Sequence, residues 1–224
     1  MSARYSALRT ALRAAGIMLV FTLVFTAMMA STYRFTRPAI EASMQEAQMR
    51  LIDEVLAPGS YDNELLEDLV RIGPTPALGL DDGGRIWRAR LGNQPVALIV
   101  ETATTDGYAG RIAMVVAINT NGLLSGVRVT AHKETPGLGD YIDPKKDRRK
   151  DMPWIGQFSI ASWKDVNTAE WALRKDGGSF GYRTGATISA RAVVGAVGRA
   201  TAWASARQDD LFSAPAGSTL GVQP

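Results

Sequence analysis

The sequence predicts an α+β fold, an antiparallel sheet with helices packed on it, behind one N-terminal transmembrane helix. Three observations carry this. Residues 14–33 hold no charged side chain. Residues 85–131 divide into short apolar runs separated by tight-turn signals. From Thr187 onward, apolar positions return at helical spacing.

The first element is "AAGIMLVFTLVFTAMMASTY" (14–33), flanked by Arg13 and Arg34. At a rise of about 1.5 Å per residue it reaches about 30 Å, the thickness of a bilayer's hydrocarbon core. A cleaved signal peptide is the alternative, because small residues stand at Ala30 and Ser31. The apolar part of a signal peptide runs only about 7–15 residues, which favours a retained anchor. Arg4, Arg9 and Arg13 precede the span and Arg34 and Arg37 follow it, a slight positive-inside bias. The expected topology places residues 1–13 in the cytoplasm and the bulk of the chain on the outer, periplasmic side of a bacterial inner membrane.

Pro38 suits the first turn of a new helix, and Ile40, Met44, Ala47, Leu51 and Val55 recur at helical spacing before Pro58-Gly59. Residues 34–58 are therefore expected to form a stalk helix lying on the folded domain. Turn-rich residues 59–84 read as connection. Four strands follow at 85–91, 94–103, 110–118 and 123–131, with hairpin signals at Gly92-Asn93 and "NTNG" (119–122). Short strands joined by tight turns make an antiparallel meander. A helical segment is expected near 153–164, a further strand at 171–176, and a last helix from Thr187 to about Arg207. The tail 213–224 is small, polar and expected to be loose. The folded domain then spans 59–212.

The chain has 224 residues, 46% of them apolar, enough for a proper core. A net charge of +3, with no basic strip interleaved with aromatics, argues against nucleic acid as a partner. There is no Cys and a single His, His132. The chain has no thiolate nucleophile, no ligand set of its own for an iron–sulfur cluster, and too few residues for a His/Cys zinc site or a bis-His haem. Redox work would need an organic cofactor. The serine-hydrolase elbow, the P-loop, the dinucleotide glycine motif and the zinc-protease motif are all missing.

Two stretches hold the candidate chemistry. In "AHKETPGLGDYID" (131–143), Pro136, Gly137 and Gly139 force a turn directly after a strand. It is either a plain connection or a loop folded over a flat ligand, with backbone N–H groups bonding the ligand's carbonyls. In "RTGATISARAVVGAVGRA" (183–200), Thr184 and Thr187 bracket Gly185-Ala186 where a helix begins. Either hydroxyl would serve as an N-cap, and capping needs only one. The same helix terminus binds phosphate, so a phosphoester on one of the hydroxyls is the other reading. The charge run "DPKKDRRKDMPW" (143–154) is a solvated loop or a contact for anionic headgroups or an acidic partner.

These two stretches, with "WALRKDGGSFGYRTGAT" between them and an anchor in front, resemble the FMN-binding domain family along the whole chain. Within it the resemblance is to the G subunits of Rnf electron-transport complexes, and more distantly to the C subunits of sodium-translocating NADH:quinone reductases. It implies FMN bound covalently as a phosphoester on the last Thr of the motif, Thr187, by a separate flavin transferase that uses FAD and Mg²⁺. Thr184, Gly185 and Ala186 fill the preceding positions of the motif. Glu134, Thr135, Pro136, Gly137, Leu138 and Gly139 match the loop against the flavin ring, and Lys175 and Asp176 lie in the segment leading to the motif. One position departs from the family pattern: Gly181 stands where an Asp is usual. The implied function is electron carriage among the other subunits of an Rnf membrane complex that couples ferredoxin/NAD electron flow to Na⁺ or H⁺ movement, without an independent activity of this chain. Two readings from other classes stay open: a non-redox anchored binding module using the 134–139 loop, and an anchored hydrolase using His132.

Overall fold

A computed structural model describes residues 2–161 and 169–221. The chain divides into two compact units, Met1–Gln48 and Met49–Pro224.

The first unit is most of helix α1 (Ser2–Asp53), and Pro38 lies inside it. The expected break between span and stalk is absent. Proline deletes one helical hydrogen bond and crowds the carbonyl four residues back. The residues that follow, "AIEASMQEAQMRLID", are mostly strong helix formers and carry the helix through it. The Thr32 and Thr36 hydroxyls fold back onto the carbonyls of Met28 and Thr32, each at 2.9 Å. The helix also ends at Asp53 rather than at residue 58. Residues 7–53 are long and apolar enough to cross a membrane. The mature protein is expected to keep its anchor, so N-terminal sequencing of membrane-extracted protein should begin at Met1 or Ser2. A start at Ser31 or Thr32 would make the span a signal peptide.

The second unit is built on a six-stranded sheet in the order β5-β4-β3-β2-β1-β6. The four strands expected from alternation are β2 (Gly84–Leu91), β3 (Gln94–Gly107), β4 (Gly110–Asn119) and β5 (Leu124–Ala131), paired antiparallel in sequence order. Two strands were not expected. β1 (Leu69–Ile72) lies within the stretch read as connection and pairs antiparallel with β2. β6 (Thr219–Leu220) lies in the tail and pairs with β1 in parallel, which makes the sheet mixed.

The tail is held rather than loose, and two arginines explain it. Arg88 is buried in the sheet and ion-pairs with Asp68, and its guanidinium donates to the carbonyls of Leu211 and Ala214. Arg90 donates to Phe212 O at 2.7 Å and pairs with Asp68 at 2.9 Å. A buried guanidinium needs acceptors for its five donors, and Asp68, the carbonyls at the end of α3 (Gln208–Ser213) and Ala214 supply them. Residues 222–224 lie outside the described part.

Both faces of the sheet are covered. Side chains alternate along each strand. Leu98, Val100, Met114, Val116 and Ile118 face α2 (Thr187–Ser205) in one core cluster, whereas Ile99, Val115, Ala117 and Trp87 join Ile52, Val55, Leu56 and Leu65 in another. Gly126 of β5 admits the second layer, because a Cβ there would sit 2.9 Å from Val55 O.

The segment expected as a helix near 153–164 is a 3₁₀ turn over Trp154–Ile160, and its last residues fall outside the described part. The expected strand at 171–176 is not one. It makes a single bridge, Leu173 to Phe180, around a 3₁₀ turn Arg174–Asp176. Its cause is the Gly177-Gly178 pair: the chain folds back so closely that a Cβ on Gly178 would lie 2.2 Å from Ala172 O.

Candidate functional site

The fold brings three segments to one cavity of about 250 Å³: the β3–β4 hairpin tip, the loop after β5, and the start of α2. Its lining is Tyr108, Glu134, Thr135, Leu138, Gly139, Gly185, Ala186, Ile188 and Ser189. Six of the residues expected from sequence are among them, from both stretches. Pro136, Gly137, Thr184 and Thr187 adjoin the lining in sequence without forming it. Lys175 and Asp176 are engaged elsewhere: Lys175 Nζ lies 5.9 Å from the Tyr182 ring centroid, and Asp176 makes two bonds to Arg191, at 2.9 and 3.0 Å.

Sequence reasoning named Leu138 but neither Tyr108 nor Ile188, which stand beside it at the cavity. Tyr108, Leu138 and Ile188 are 70%, 52% and 47% exposed, three large apolar side chains at the rim of one opening. Exposed apolar side chains gathered at one place mark a binding surface. The cavity is smaller than the roughly 300–1,000 Å³ that encloses a drug-sized ligand. It suits one part of a flat, amphipathic ligand, with the remainder outside.

Three backbone N–H groups of the loop are bonded within it. Gly137 N–H donates to Asp140 Oδ1 at 2.9 Å, and Leu138 and Gly139 N–H both donate to Thr135 O at 3.1 Å. Glu134, Thr135, Leu138 and Gly139 form the loop's part of the cavity wall. Gly139 is required by packing. A Cβ there would fall 2.5 Å from Ser189 Oγ and 2.8 Å from Glu134 Oε2.

The start of α2 answers the question of the two hydroxyls. Thr187 is its first helical residue, Ala186 holds the cap position, and no side chain caps it. Neither Thr184 nor Thr187 is an N-cap, and the orphan N–H groups of the first turn are left to another partner. Gly185 has φ +88, a conformation other residues adopt only under strain, and space is open around it. Thr184 is exposed, Thr187 partly so, and Ser189 buried.

The turn before α2 is gripped by residues that sequence reasoning did not single out. The buried Tyr141 hydroxyl donates to Ala186 O and accepts from Arg183 N, both at 3.2 Å. Burial pushes its pKa up, Arg183 acting against this, so the phenol keeps its proton. Arg183 stacks over the Tyr141 ring at 4.8 Å and ion-pairs with Asp147, whose side chain is 0% exposed. Asp147 also accepts from Arg149 N and Trp154 N, each at 2.8 Å. Burial raises its pKa, but these two N–H groups and Arg183 outweigh it and hold the carboxyl below its ordinary 3.8. The charge run is thus pinned to the motif at its centre, with Lys145, Lys146, Arg148, Arg149 and Lys150 exposed around it.

His132 is a structural contact. Its Nδ1 accepts from Glu134 N at 3.1 Å, and Nε2 lies 3.5 Å from Lys146 Nζ and 4.0 Å from Asp143 Oδ2. Among the described residues no hydroxyl bonds to it, and so none there is placed as the nucleophile of the hydrolase reading.

The family model for the FMN-binding domain matches residues 107–202, and that for the RnfG N-terminal region matches residues 1–55. The G subunit of the ion-translocating oxidoreductase complex of Pseudomonas aeruginosa (strain UCBPP-PA14) is 40% identical over 92% of this chain and 94% of its own length. The chain belongs to the family of G subunits of ion-translocating oxidoreductase complexes. The corresponding protein of Pseudoalteromonas atlantica is 38% identical over 88% of this chain and 90% of its own length, and that of Salmonella typhi 41% over 80% and 84%. The cavity's three walls, at 107–110, 134–139 and 185–189, all fall inside the FMN-binding match of this family member.

Proposed function

We propose that the chain is the flavin-carrying subunit of an Rnf-type complex, with FMN joined by a phosphoester to Thr187. The observation that carries this is the uncapped start of α2, with Thr187 as its first residue, beside a cavity rimmed by Tyr108, Leu138 and Ile188. The residues fit the two ends of the cofactor. The phosphodiester's charge suits unpaired N–H groups at the positive end of a helix. The ring suits a shallow site with an apolar rim and polar Glu134, Thr135 and Ser189 within. When bound, the flavin supplies one-electron chemistry that this chain's own side chains lack. The chain's part is to hold the ring and set its surroundings. Tyr141 and Arg183 fix the turn that carries Thr187, and Leu138 and Ile188 would cover part of the ring.

In this reading the chain would hold the flavin through which electrons pass among the other subunits, in a complex that couples ferredoxin/NAD electron flow to Na⁺ or H⁺ movement. The chain has no independent activity. A flavin transferase using FAD and Mg²⁺ modifies it, and the domain stands on the periplasmic side of the inner membrane. A mass spectrum of the purified native chain tests the assignment: one FMN less one water, mapped to Thr187. A protein without a yellow chromophore that survives denaturation would instead be a non-redox anchored module.

The loop has its own test. Gly137 has φ +75, and a side chain there would meet only Arg148 at 3.6 Å. Gly137→Val is strained by about 1–3 kcal/mol and is expected to shift the flavin's visible spectrum while leaving it attached. An unchanged spectrum and reduction potential would remove the loop from the flavin site.

A further inference from the structure

Glu134 is 3% exposed, yet it lines the cavity. Its carboxylate has two donors. Oε1 accepts from Ala109 N at 3.1 Å, and Oε2 accepts from the Ser189 hydroxyl. It thereby ties the hairpin tip, the loop and α2 together. Among the described residues no Lys, Arg or His forms an ion pair with it. Two glycines make its seat: a Cβ on Gly107 would lie 2.7 Å from Oε1, and one on Gly139 2.8 Å from Oε2. Three segments are shaped around an uncompensated buried carboxylate.

A merely structural link would not need the charge. A glutamine has the same shape, and its oxygen would accept from Ala109 while its amide donates to the Ser189 hydroxyl. A buried carboxylate without a cation is costly, so its charge calls for a reason. Ser189 was not singled out in the sequence, but it stands two residues after Thr187 and its hydroxyl is committed to Glu134.

We propose that Glu134 is a fixed negative charge in the wall of the flavin cavity that lowers the flavin's reduction potential, with Ser189 and the Ala109 amide as its positioning partners. The inference rests on the flavin site proposed above. Each electron delivered from a neighbouring one-electron carrier adds a unit of negative charge to the ring until a proton follows. A like charge in the cavity wall opposes that step, and at short range it changes the equilibrium by about tenfold or more. A tenfold change corresponds to 59 mV for one electron.

The experiment is a spectroelectrochemical titration of the full-length flavinylated chain and its Glu134→Gln variant. The expected result is a potential at least 59 mV more positive in the variant, with the flavin still attached and its visible circular dichroism unchanged. Equal potentials would overturn the inference. If Glu134→Gln carries no flavin, Ser189→Ala decides. It keeps the carboxylate but removes a hydroxyl that partly offsets its charge, so the potential should fall, and an unchanged or higher one overturns the inference. Failure of the site itself reads differently: the wild-type chain would carry no flavin, or carry it away from Thr187.

Discussion

Thr187→Val is expected to abolish covalent FMN while leaving the fold intact. Denaturing gels viewed under ultraviolet light should show a fluorescent band for wild type and none for the variant. The fold should survive because the Thr187 hydroxyl makes no capping bond, and Thr and Val differ little in helix propensity. The cost should stay within about 0.5 kcal/mol, so the thermal midpoint would barely move. The two neighbouring hydroxyls are poor substitutes. Ser189 is 1% exposed and donates to Glu134. Thr184 lies before Gly185, outside the helix, where the orphan N–H groups do not converge. Thr184→Val should at most slow modification. A fluorescent Thr187 variant, or an adduct mapped to Thr184 or Ser189, would defeat the assignment. Gly181 gives a companion test if wild type coexpressed with its transferase is poorly flavinylated. A Cβ at Gly181 would meet only Gln157 Oε1, at an ordinary 3.7 Å, so Gly181→Asp fits and should raise the yield.

The four central strands were legible because their signals are local. Alternation and the turns at Gly92-Asn93 and 119–122 fix them without reference to the rest of the chain. β1 and β6 were not, because "LVRI" and "TL" have no pattern of their own. They are strands because Arg88, Arg90 and Asp68 hold the tail, a contact spanning more than a hundred residues of sequence. Pro38 misled for the opposite reason: a strong local signal was outweighed by the helix formers after it.

The site was half legible on the same grounds. The glycines of "ETPGLG" and "RTGAT" advertise unusual backbone, and both stretches line the cavity. The side chains that join them are polar or aromatic residues of common type. Tyr108, Tyr141, Asp147 and Ser189 acquire their roles only when strands and helix meet. Tyr108 alone left a trace, as an aromatic at a hairpin tip between Gly107 and Gly110.

Asp147 is where the largest loss of stability is expected. It is wholly buried, and it serves three donors, on Arg149, Trp154 and Arg183. Asp147→Asn presents an NH₂ to one of these donors and leaves Arg183 without its counter-charge. Breaking a buried pair from one side costs about 3–5 kcal/mol. Arg183 is 31% exposed and recovers part of its hydration, so a loss of about 2–3 kcal/mol is expected. The effect should reach the flavin, because Arg183 and Tyr141 together hold the turn that presents Thr187. Flavin yield should drop along with the thermal midpoint of the full chain in detergent. The pH dependence has a definite sign. The folded pKa of Asp147 lies below its ordinary 3.8, so its stabilisation is complete above that value and is lost as the pH falls through the lower folded value. The variant should therefore lose less stability than wild type between neutral pH and pH 3. Equal midpoints at neutral pH, with equal flavin yield, would mean that the turn at 183–186 is held by Tyr141 alone.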